Sequence, residues 1–362
     1  MKILLLAGEE SGLLYANRLK ALLGAHEVRG YGDYGFRTAD LAVMGFWAVL
    51  KKLFFFLRVK RTMTRAIDAW RPDVVCTIDY PGMNLKLAAY AKAKGIRAVH
   101  VVCPQVWAWR AGRIPKIEAA LDRLCCFFPF EPSLFTPGFA TFVGHPLAEE
   151  FGAVAATGAT RRADGAGARL VALLPGSRLG EIERCLPTML AATRQLKDVE
   201  LVIPAANEGA RRAIDAILAR RAAVGPTVTV QSGGARELLL RADCAVVASG
   251  TATLEAALAR CPTVLVYRVG RVLAAFLRRV IKGVRHVGLI NIVWEKSGAA
   301  GAAPMPELLQ EDFTAEAVAA ILTRWLGNPR ARAEAVAALD GAVQLLNAGS
   351  GALEKIVAEL LA

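Results

Sequence analysis

Long apolar runs are missing from this sequence. No stretch of about eighteen or more apolar residues occurs, so no segment is expected to cross a bilayer as a helix. Cysteine pairing signals are missing as well. The seven cysteines (Cys76, Cys103, Cys125, Cys126, Cys185, Cys244 and Cys261) form no Cys-x-x-Cys pair. Their number is odd, and most stand in apolar runs such as Val74-Val75-Cys76. They read as small buried hydrophobes in a reducing compartment. Histidine is scarce. The four residues His26, His100, His145 and His286 lie far apart with no ligand spacing, so no metal site is expected. There is no Walker loop, no full Gly-x-Gly-x-x-Gly fingerprint and no Ser-His-Asp order. These absences argue against an ATPase, a standard NAD enzyme and a hydrolase.

What is present is a chain of 362 residues, 55% apolar, which is comfortable for two α/β domains with sizeable cores. The formal charge is +13, from 45 basic and 32 acidic side chains. Such an excess suits an anionic partner, whether nucleic acid, an anionic lipid surface or a phosphorylated substrate, and equally suits simple solubility. The start, Met1-Lys2-Ile3-Leu4-Leu5-Leu6-Ala7, is too brief an apolar core for a signal peptide and is followed at once by Glu9-Glu10. A first β-strand explains it better, and a cytoplasmic protein is the expectation.

Short apolar runs alternate with helical patterns. Strands are expected at Lys2–Leu6, Val74–Ile78, Ala98–Val102 and Leu124–Phe128, then at Leu170–Leu174, Glu200–Ile203, Thr227–Val230, Cys244–Val247 and Thr263–Tyr267. Most are apolar throughout, as strands buried on both faces of a parallel sheet are. Repeated βα units mean doubly wound sheets with right-handed crossovers. The segment Ala153–Ala168 has no apolar period and reads as a surface connection. The expected division is therefore two Rossmann-like domains, 1–152 and 169–328, with helices over 329–362. Ligands bind such sheets at the carboxyl ends of the strands, so both lobes are expected to present loops to a central cleft.

Five loops are candidates for the chemistry. Ala7-Gly8-Glu9-Glu10-Ser11-Gly12 follows the first strand; its glycines allow close backbone approach to a ligand, although a tight turn with a capping serine explains it equally well. Ile78-Asp79-Tyr80-Pro81-Gly82-Met83-Asn84 puts a carboxylate at a strand end, where Asp79 can take a proton from a sugar hydroxyl or simply form a turn. Glu9 is the second candidate for that base. In Cys103-Pro104-Gln105-Val106-Trp107-Ala108-Trp109-Arg110 the tryptophans can stack on a sugar or support acyl chains, with a core role the alternative. Leu174-Pro175-Gly176-Ser177-Arg178-Leu179-Gly180-Glu181 offers backbone, hydroxyl and guanidinium donors for a diphosphate, unless it is a plain β–turn–helix. Ala248-Ser249-Gly250-Thr251-Ala252-Thr253-Leu254-Glu255 opens another helix with small residues; Glu255, one turn after Thr251, can accept both hydroxyls of a ribose or be an ordinary solvated glutamate. Tyr267-Arg268 adds a positive group at the same sheet edge.

The segment 46–65 reads FWAVLKKLFFFLRVKRTMTR. Phe46, Trp47, Val49, Leu50, Leu53, Phe54 and Leu57 recur at spacings of three and four, and Phe55 and Phe56 widen the apolar face. Lys51, Lys52, Arg58, Lys60 and Arg61 flank them. An interfacial helix needs this combination; a core helix with solvated lysines is the alternative. The aromatics form one block rather than interleaving with the basic residues, which suits lipid better than nucleic acid.

These blocks together resemble the lipid-A-disaccharide synthase family, inverting glycosyltransferases with the GT-B fold. The matching residues run in order: Ala7-Gly8-Glu9 with Ser11-Gly12, Ala42-Val43-Met44-Gly45, Ile78-Asp79 with Pro81 and Asn84, and Pro104 with Val106 to Arg110. Pro129-Phe130-Glu131, Val143-Gly144-His145-Pro146, Leu173 to Arg178, Ala248 to Glu255, Tyr267-Arg268, Asn291 and Glu307 to Gln310 follow. The resemblance implies transfer of 2,3-diacylglucosamine from UDP to 2,3-diacylglucosamine 1-phosphate with release of UDP, no cofactor and no obligatory metal. The first domain would bind the acceptor and touch the membrane, and the second would bind UDP-diacylglucosamine. Asp79 and Glu9 are the catalytic candidates. Gly176, Ser177, Arg178, Glu181, Gly250, Thr251, Glu255, Arg268 and Asn291 are assigned to the UDP-sugar, and Ser11, Trp107, Trp109, Arg110, Phe54, Phe55 and Phe56 to acceptor and lipid. The protein would lie on the anionic face of the inner membrane, bind no nucleic acid, and leave a homodimer open. Another UDP-sugar enzyme of this fold, such as an epimerase, is the competing reading. Four places depart from the family pattern: Glu10 stands where a small residue is usual, and Leu13, Ala48 and Gly82-Met83 remove three acidic groups near the acceptor.

Overall fold

The computed structural model describes residues 1–41, 53–156, 167–220, 225–270, 273–274, 279, 283–346 and 351–362. They fall into two compact units, Met1–Pro146 together with Ala348–Ala362, and Leu147–Asn347.

The first unit holds strands β1 (Lys2–Ala7), β2 (Glu27–Arg29), β3 (Val74–Ile78), β4 (Arg97–Val101), β5 (Arg123–Cys126) and β6 (Ala140–Phe142). They form one sheet in the order β2-β1-β3-β4-β5-β6, every neighbouring pair parallel. Side-chain alternation decides which layer each residue joins. Ile3, Leu5 and Ala7 of β1 pack with Cys76, Ile78, Val99 and Val101 and with Leu19 and Leu23 of the helix Glu10–Leu23. Leu4 and Leu6 turn the other way, onto Val59, Met63, Ile67 and Trp70 of the helix Leu53–Trp70 and Leu87 and Ala91 of the helix Pro81–Ala93. Both faces are covered, so β3 is buried along its whole length, as a continuous apolar run requires.

The second unit repeats the plan with β7 (Arg169–Leu174), β8 (Val199–Ala205), β9 (Val228–Ser232), β10 (Cys244–Ala248), β11 (Thr263–Tyr267) and β12 (Glu307–Leu309). Their order is β12-β11-β10-β7-β8-β9, again all parallel. In each sheet the strand order reverses at one place, between β1 and β3 and between β7 and β10. In the second unit the loops leaving those strands diverge and open a crevice at their carboxyl ends.

The expected strands are all present within one or two residues at most ends. Three more exist: β2, β6 and β12, each three residues long and each at a sheet edge. The C-terminal helices expected over 329–362 divide between the units. The helix Pro329–Leu345 stays with the second unit, whereas the helix Ala352–Leu361 belongs to the first. Leu353, Ile356 and Leu360 are buried there against the first sheet, each contributing about 1.5–3 kcal/mol by leaving water. The connection expected at 153–168 begins as the last turn of the helix Pro146–Ala156; 157–166 lie outside the described residues, as do 42–52, which include 46–52 of the expected membrane segment.

Candidate active site

In the second unit, the loops after β7 and β10 line a cavity of about 320 Å³ together with residues that follow β8 and β9. Its wall includes Gly176, Ser177, Arg178 and Glu181 from one side and Ser249, Gly250, Thr251 and Glu255 from the other. Gly176 is required twice over. Its φ is +104°, and a Cβ there would stand 2.5 Å from Glu181 Oε2, so a side chain would be both strained and blocked. Glu181 closes the first turn of the helix Leu179–Ala192. Its Oε1 takes a bond of 2.7 Å from the Arg178 guanidinium, and its Oε2 accepts from the Arg178 N–H at 3.4 Å. Gly250 caps the helix Thr251–Leu258. An anion in this cavity meets two helix N-termini and one arginine, a favourable electrostatic setting for phosphate.

Glu255 sits on the same wall. Its Oε1 accepts from Arg236 Nε at 3.0 Å. Arg236 also donates through Nη1 to Glu150 Oε2 at 2.6 Å. Sequence reasoning passes over both Arg236 and Glu150. Arg236 opens the helix that follows the Gly233-Gly234 turn after β9, a signal of the same kind as those at Gly176 and Gly250, whereas Glu150 carries no such mark and only the fold brings it to Arg236.

Two residues assigned to the UDP-sugar are not among the cavity's lining. Arg268 turns its guanidinium to the carbonyls of Gln310 and Phe313 and to Thr188 Oγ1, and lies over the Phe313 ring. Asn291 is fully buried. Its amide donates to Met305 O at 2.8 Å and to Glu307 Oε1 at 2.7 Å, and its oxygen accepts from Met305 N at 3.0 Å. Both side chains fasten the segment around β12 to the rest of the unit.

In the first unit, the loops leaving β1 and β3 meet at the strand-order reversal. Gly8 is in contact with Tyr80 so closely that a Cβ would come within 2.5 Å of the ring. Asp79 follows β3, half-buried, with φ +48°; Tyr80 has φ +52° and Val102, at the end of β4, φ +75°. Left-handed backbone at three non-glycine residues, one of them β-branched, is strained, and the surroundings hold it. Asp79 N donates to Val101 O at 2.9 Å. The buried Asn84 amide donates to the carbonyls of Leu6, Ile78 and Asp79 at 3.2, 3.1 and 2.7 Å, and its oxygen accepts from Tyr31 Oη at 2.8 Å. The Asp79 carboxylate accepts from Tyr80 N at 2.8 Å. Burial lifts its pKa above the ordinary carboxylate value, and the Tyr80 N–H opposes this. Asp79 thus combines a fixed backbone with a carboxyl more basic than a solvated one. Glu9 is exposed at the start of the first helix without capping it through its side chain. The side chain of Ser11 lies outside the described residues.

The tryptophan pair separates. Trp107 is buried; its indole donates to Glu131 Oε1 at 3.0 Å and its ring meets Phe130 edge-on. That is the core position given above as the alternative to acceptor contact. Trp109 is 38% exposed, with the Arg110 guanidinium 4.5 Å above its ring. Glu131 also accepts from Phe128 N at 3.1 Å, and burial pushes its carboxyl up to about 8. Cys103 and Cys126 converge on it, the ligand atoms of the three lying within 4.8 Å of one another. Sequence spacing has no means of seeing this group, which forms across β4 and β5.

The phenylalanine block divides too. Phe54 is 84% exposed and Leu57 54%. Phe55 and Phe56 pack onto the unit's own core, Phe55 edge-on to Phe36 at 6.0 Å. They continue the buried stripe of Val59, Met63, Ile67 and Trp70, so helical periodicity sends them inward.

The family model for lipid-A-disaccharide synthetase matches residues 3–359. A lipid-A-disaccharide synthase of Syntrophus aciditrophicus (strain SB) is 37% identical over 351 residues, which cover 91% of this chain and 89% of that protein. Among solved structures, MurG of Acinetobacter baumannii aligns with a TM-score of 0.61 at 15% identity, covering 100% of this chain and 99% of that one. A UDP-GlcNAc 2-epimerase from Neisseria meningitidis, bound to UDP-GlcNAc, aligns at 0.61 and 11% identity with both chains covered 100%. Transferases and epimerases share this fold, so fold alone does not choose between them. The family match, which runs through both sheets and both strand-order reversals, does: the chain is a GT-B glycosyltransferase and belongs to the lipid-A-disaccharide synthase family.

Proposed function

We propose that this chain transfers 2,3-diacylglucosamine from UDP to the 6-hydroxyl of 2,3-diacylglucosamine 1-phosphate, forming the β-1,6-linked disaccharide 1-phosphate and UDP. The observation that carries the residue assignments is the pairing of each strand-order reversal with a chemically distinct group: a raised carboxyl after β3, and helix N-termini with Arg178 after β7 and β10.

Asp79 is the general base. The acceptor hydroxyl attacks the anomeric carbon on the face opposite UDP, its proton passes to Asp79, and the bond to the β-phosphate oxygen breaks. Burial, which makes Asp79 more basic than a solvated carboxylate, supports this role. Negative charge grows on the leaving UDP. The Gly176-Ser177 turn, Arg178 and the helix opened at Gly250-Thr251 offset that charge without a metal ion, and Glu255 accepts from the ribose hydroxyls. Trp109 and Arg110 are candidates for acceptor contact. The exposed Phe54 and Leu57, with Arg58, Lys60, Arg61 and Arg65 on the same helix, are candidates for contact with an anionic membrane surface.

The test is Asp79→Asn, which keeps nearly the same shape. UDP affinity should be unchanged while turnover falls by about two to four orders of magnitude. Near-normal turnover in the folded variant would remove Asp79 from the mechanism and turn attention to Glu9.

A further inference from the structure

We propose that Arg236, anchored by Glu150, is the positioning residue that orients Glu255 toward the ribose of the donor nucleotide. The proposal rests on the assignment of Glu255 to the ribose made above, and adds the device that holds the carboxylate in place.

Three elements meet at this guanidinium. Arg236 lies in the helix Ala235–Arg241, Glu150 and Phe151 in the helix Pro146–Ala156, and Glu255 in the helix Thr251–Leu258. Nε donates to Glu255 Oε1 at 3.0 Å, Nη1 donates to Glu150 Oε2 at 2.6 Å, and the Phe151 ring lies 5.7 Å from the guanidinium carbon. The side chains of Glu150 and Glu255 are only 14% and 16% exposed, and that of Arg236 30%. A planar fork with donors in fixed directions can bridge two carboxylates; a lysine ammonium cannot fix both in the same way.

The arrangement has a consequence at each oxygen of Glu255. A glutamate on a cavity wall has several rotamers and two equivalent oxygens. With Oε1 held by Arg236, the rotamer is fixed, and Oε2 accepts no bond from the described residues. That oxygen has the lone pairs a vicinal diol requires. Removing the guanidinium would leave two carboxylates facing each other's charge and free Glu255 to turn away. Glu150 completes the arrangement, since without it Arg236 would itself be free to follow Glu255 or to leave it.

The discriminating measurement is calorimetric binding of UDP and 2′-deoxy-UDP to the full chain and to its E255Q, R236A, R236K and E150Q variants, each checked by thermal unfolding. R236A should lose about tenfold in UDP affinity, the loss expected for one charge-assisted hydrogen bond. Its affinity for 2′-deoxy-UDP should change much less, so that the ratio between the nucleotides falls. R236K and E150Q should show smaller falls in the same ratio. Should R236A fail to fold, E150Q carries the test, because it removes the anchoring charge and leaves Arg236 and Glu255 themselves unchanged. An undiminished ratio in the folded Arg236 and Glu150 variants, with a lowered one in E255Q, overturns the role of Arg236 alone. An equal loss for both nucleotides also overturns it, since general distortion of the wall would give that result. An undiminished ratio in E255Q overturns the ribose assignment and this proposal with it.

Discussion

Asp79 and Arg178 are opposite solutions to placing charge at a strand end. Asp79 is half-buried, and desolvation raises its pKa against the pull of the Tyr80 N–H. The acid limb of kcat/KM should therefore lie above the ordinary carboxylate range, with activity lost as pH falls through it; a profile flat down to pH 4 would speak against Asp79 as the base. Arg178 is 62% exposed at its side chain and salt-bridged to Glu181. Arg178→Ala should weaken UDP binding by about tenfold to a hundredfold, the range for hydrogen bonds to charged groups, and lower turnover. Calorimetry showing unchanged UDP affinity, with an unchanged rate, would contradict this. A strict magnesium requirement would count against the whole account of the diphosphate. The strand-end positions of Asp79 and Arg178, and the small-residue turn that opens the helix carrying Glu255, are legible in the sequence because the buried strands that lead into them are continuous apolar runs. The partners of Arg236 and Asn84, Glu150 and Tyr31, lie far along the chain, and no local pattern marks such pairs.

In the helix Leu53–Trp70 a run of adjacent apolar residues is divided between two faces by the helical period. Phe54 and Leu57 face solvent, while Phe55 and Phe56 join the core. Membrane binding should therefore depend on Phe54 and Leu57. Changing both to serine should lower salt-sensitive binding to anionic vesicles with the fold intact, whereas changing Phe55 or Phe56 should lower thermal stability. Equal vesicle binding by the folded Phe54/Leu57 variant would place the contact elsewhere. The three strands missing from the sequence reading, β2, β6 and β12, have three residues each. Their residues are half-exposed, and three positions cannot establish an apolar run; the long central strands were legible because burial on both faces demands one. Three buried groups of the first unit, one on β4 and two in loops beyond β5 and β6, carry a pH signature. Burial pushes His100 down to about 3, His145 down to about 4 and Glu131 up to about 8. Below about pH 6.5 the unfolded chain gains protons on both histidines and the folded chain does not, so each removes about 1.4 kcal/mol of stability per pH unit. Glu131 acts in the reverse direction: its contribution is full below the unfolded value of 4.5 and is lost as pH rises through about 8. These three groups place maximum stability near pH 6.5, since the two histidines outweigh Glu131 on the acid side. Unfolding midpoints across pH 4 to 9 should trace this peak, and Glu131→Gln should flatten its alkaline side. A wild-type midpoint that does not fall between pH 6.5 and 8 would contradict the account of Glu131.

For the molecule as a whole, alternation of apolar strands and helices was enough to expect two doubly wound units, because each βα repeat leaves its own mark on the sequence. The return of the last helix, Ala352–Leu361, to the first unit was not legible. An amphipathic helix declares that it has a buried face but not which sheet receives it; that choice depends on where the chain stands after Leu345. The order of the blocks over residues 3–359 ties the fold to one reaction, while the fold itself also serves epimerases. A transferase consumes two substrates and an epimerase one, so the product distinguishes them. Incubation with UDP-2,3-diacylglucosamine and 2,3-diacylglucosamine 1-phosphate, followed by mass spectrometry, should give one disaccharide 1-phosphate per UDP released, only when both substrates are present, and little with Asp79→Asn. Conversion of the UDP-sugar without the acceptor, or UDP release without a disaccharide, would contradict the transfer.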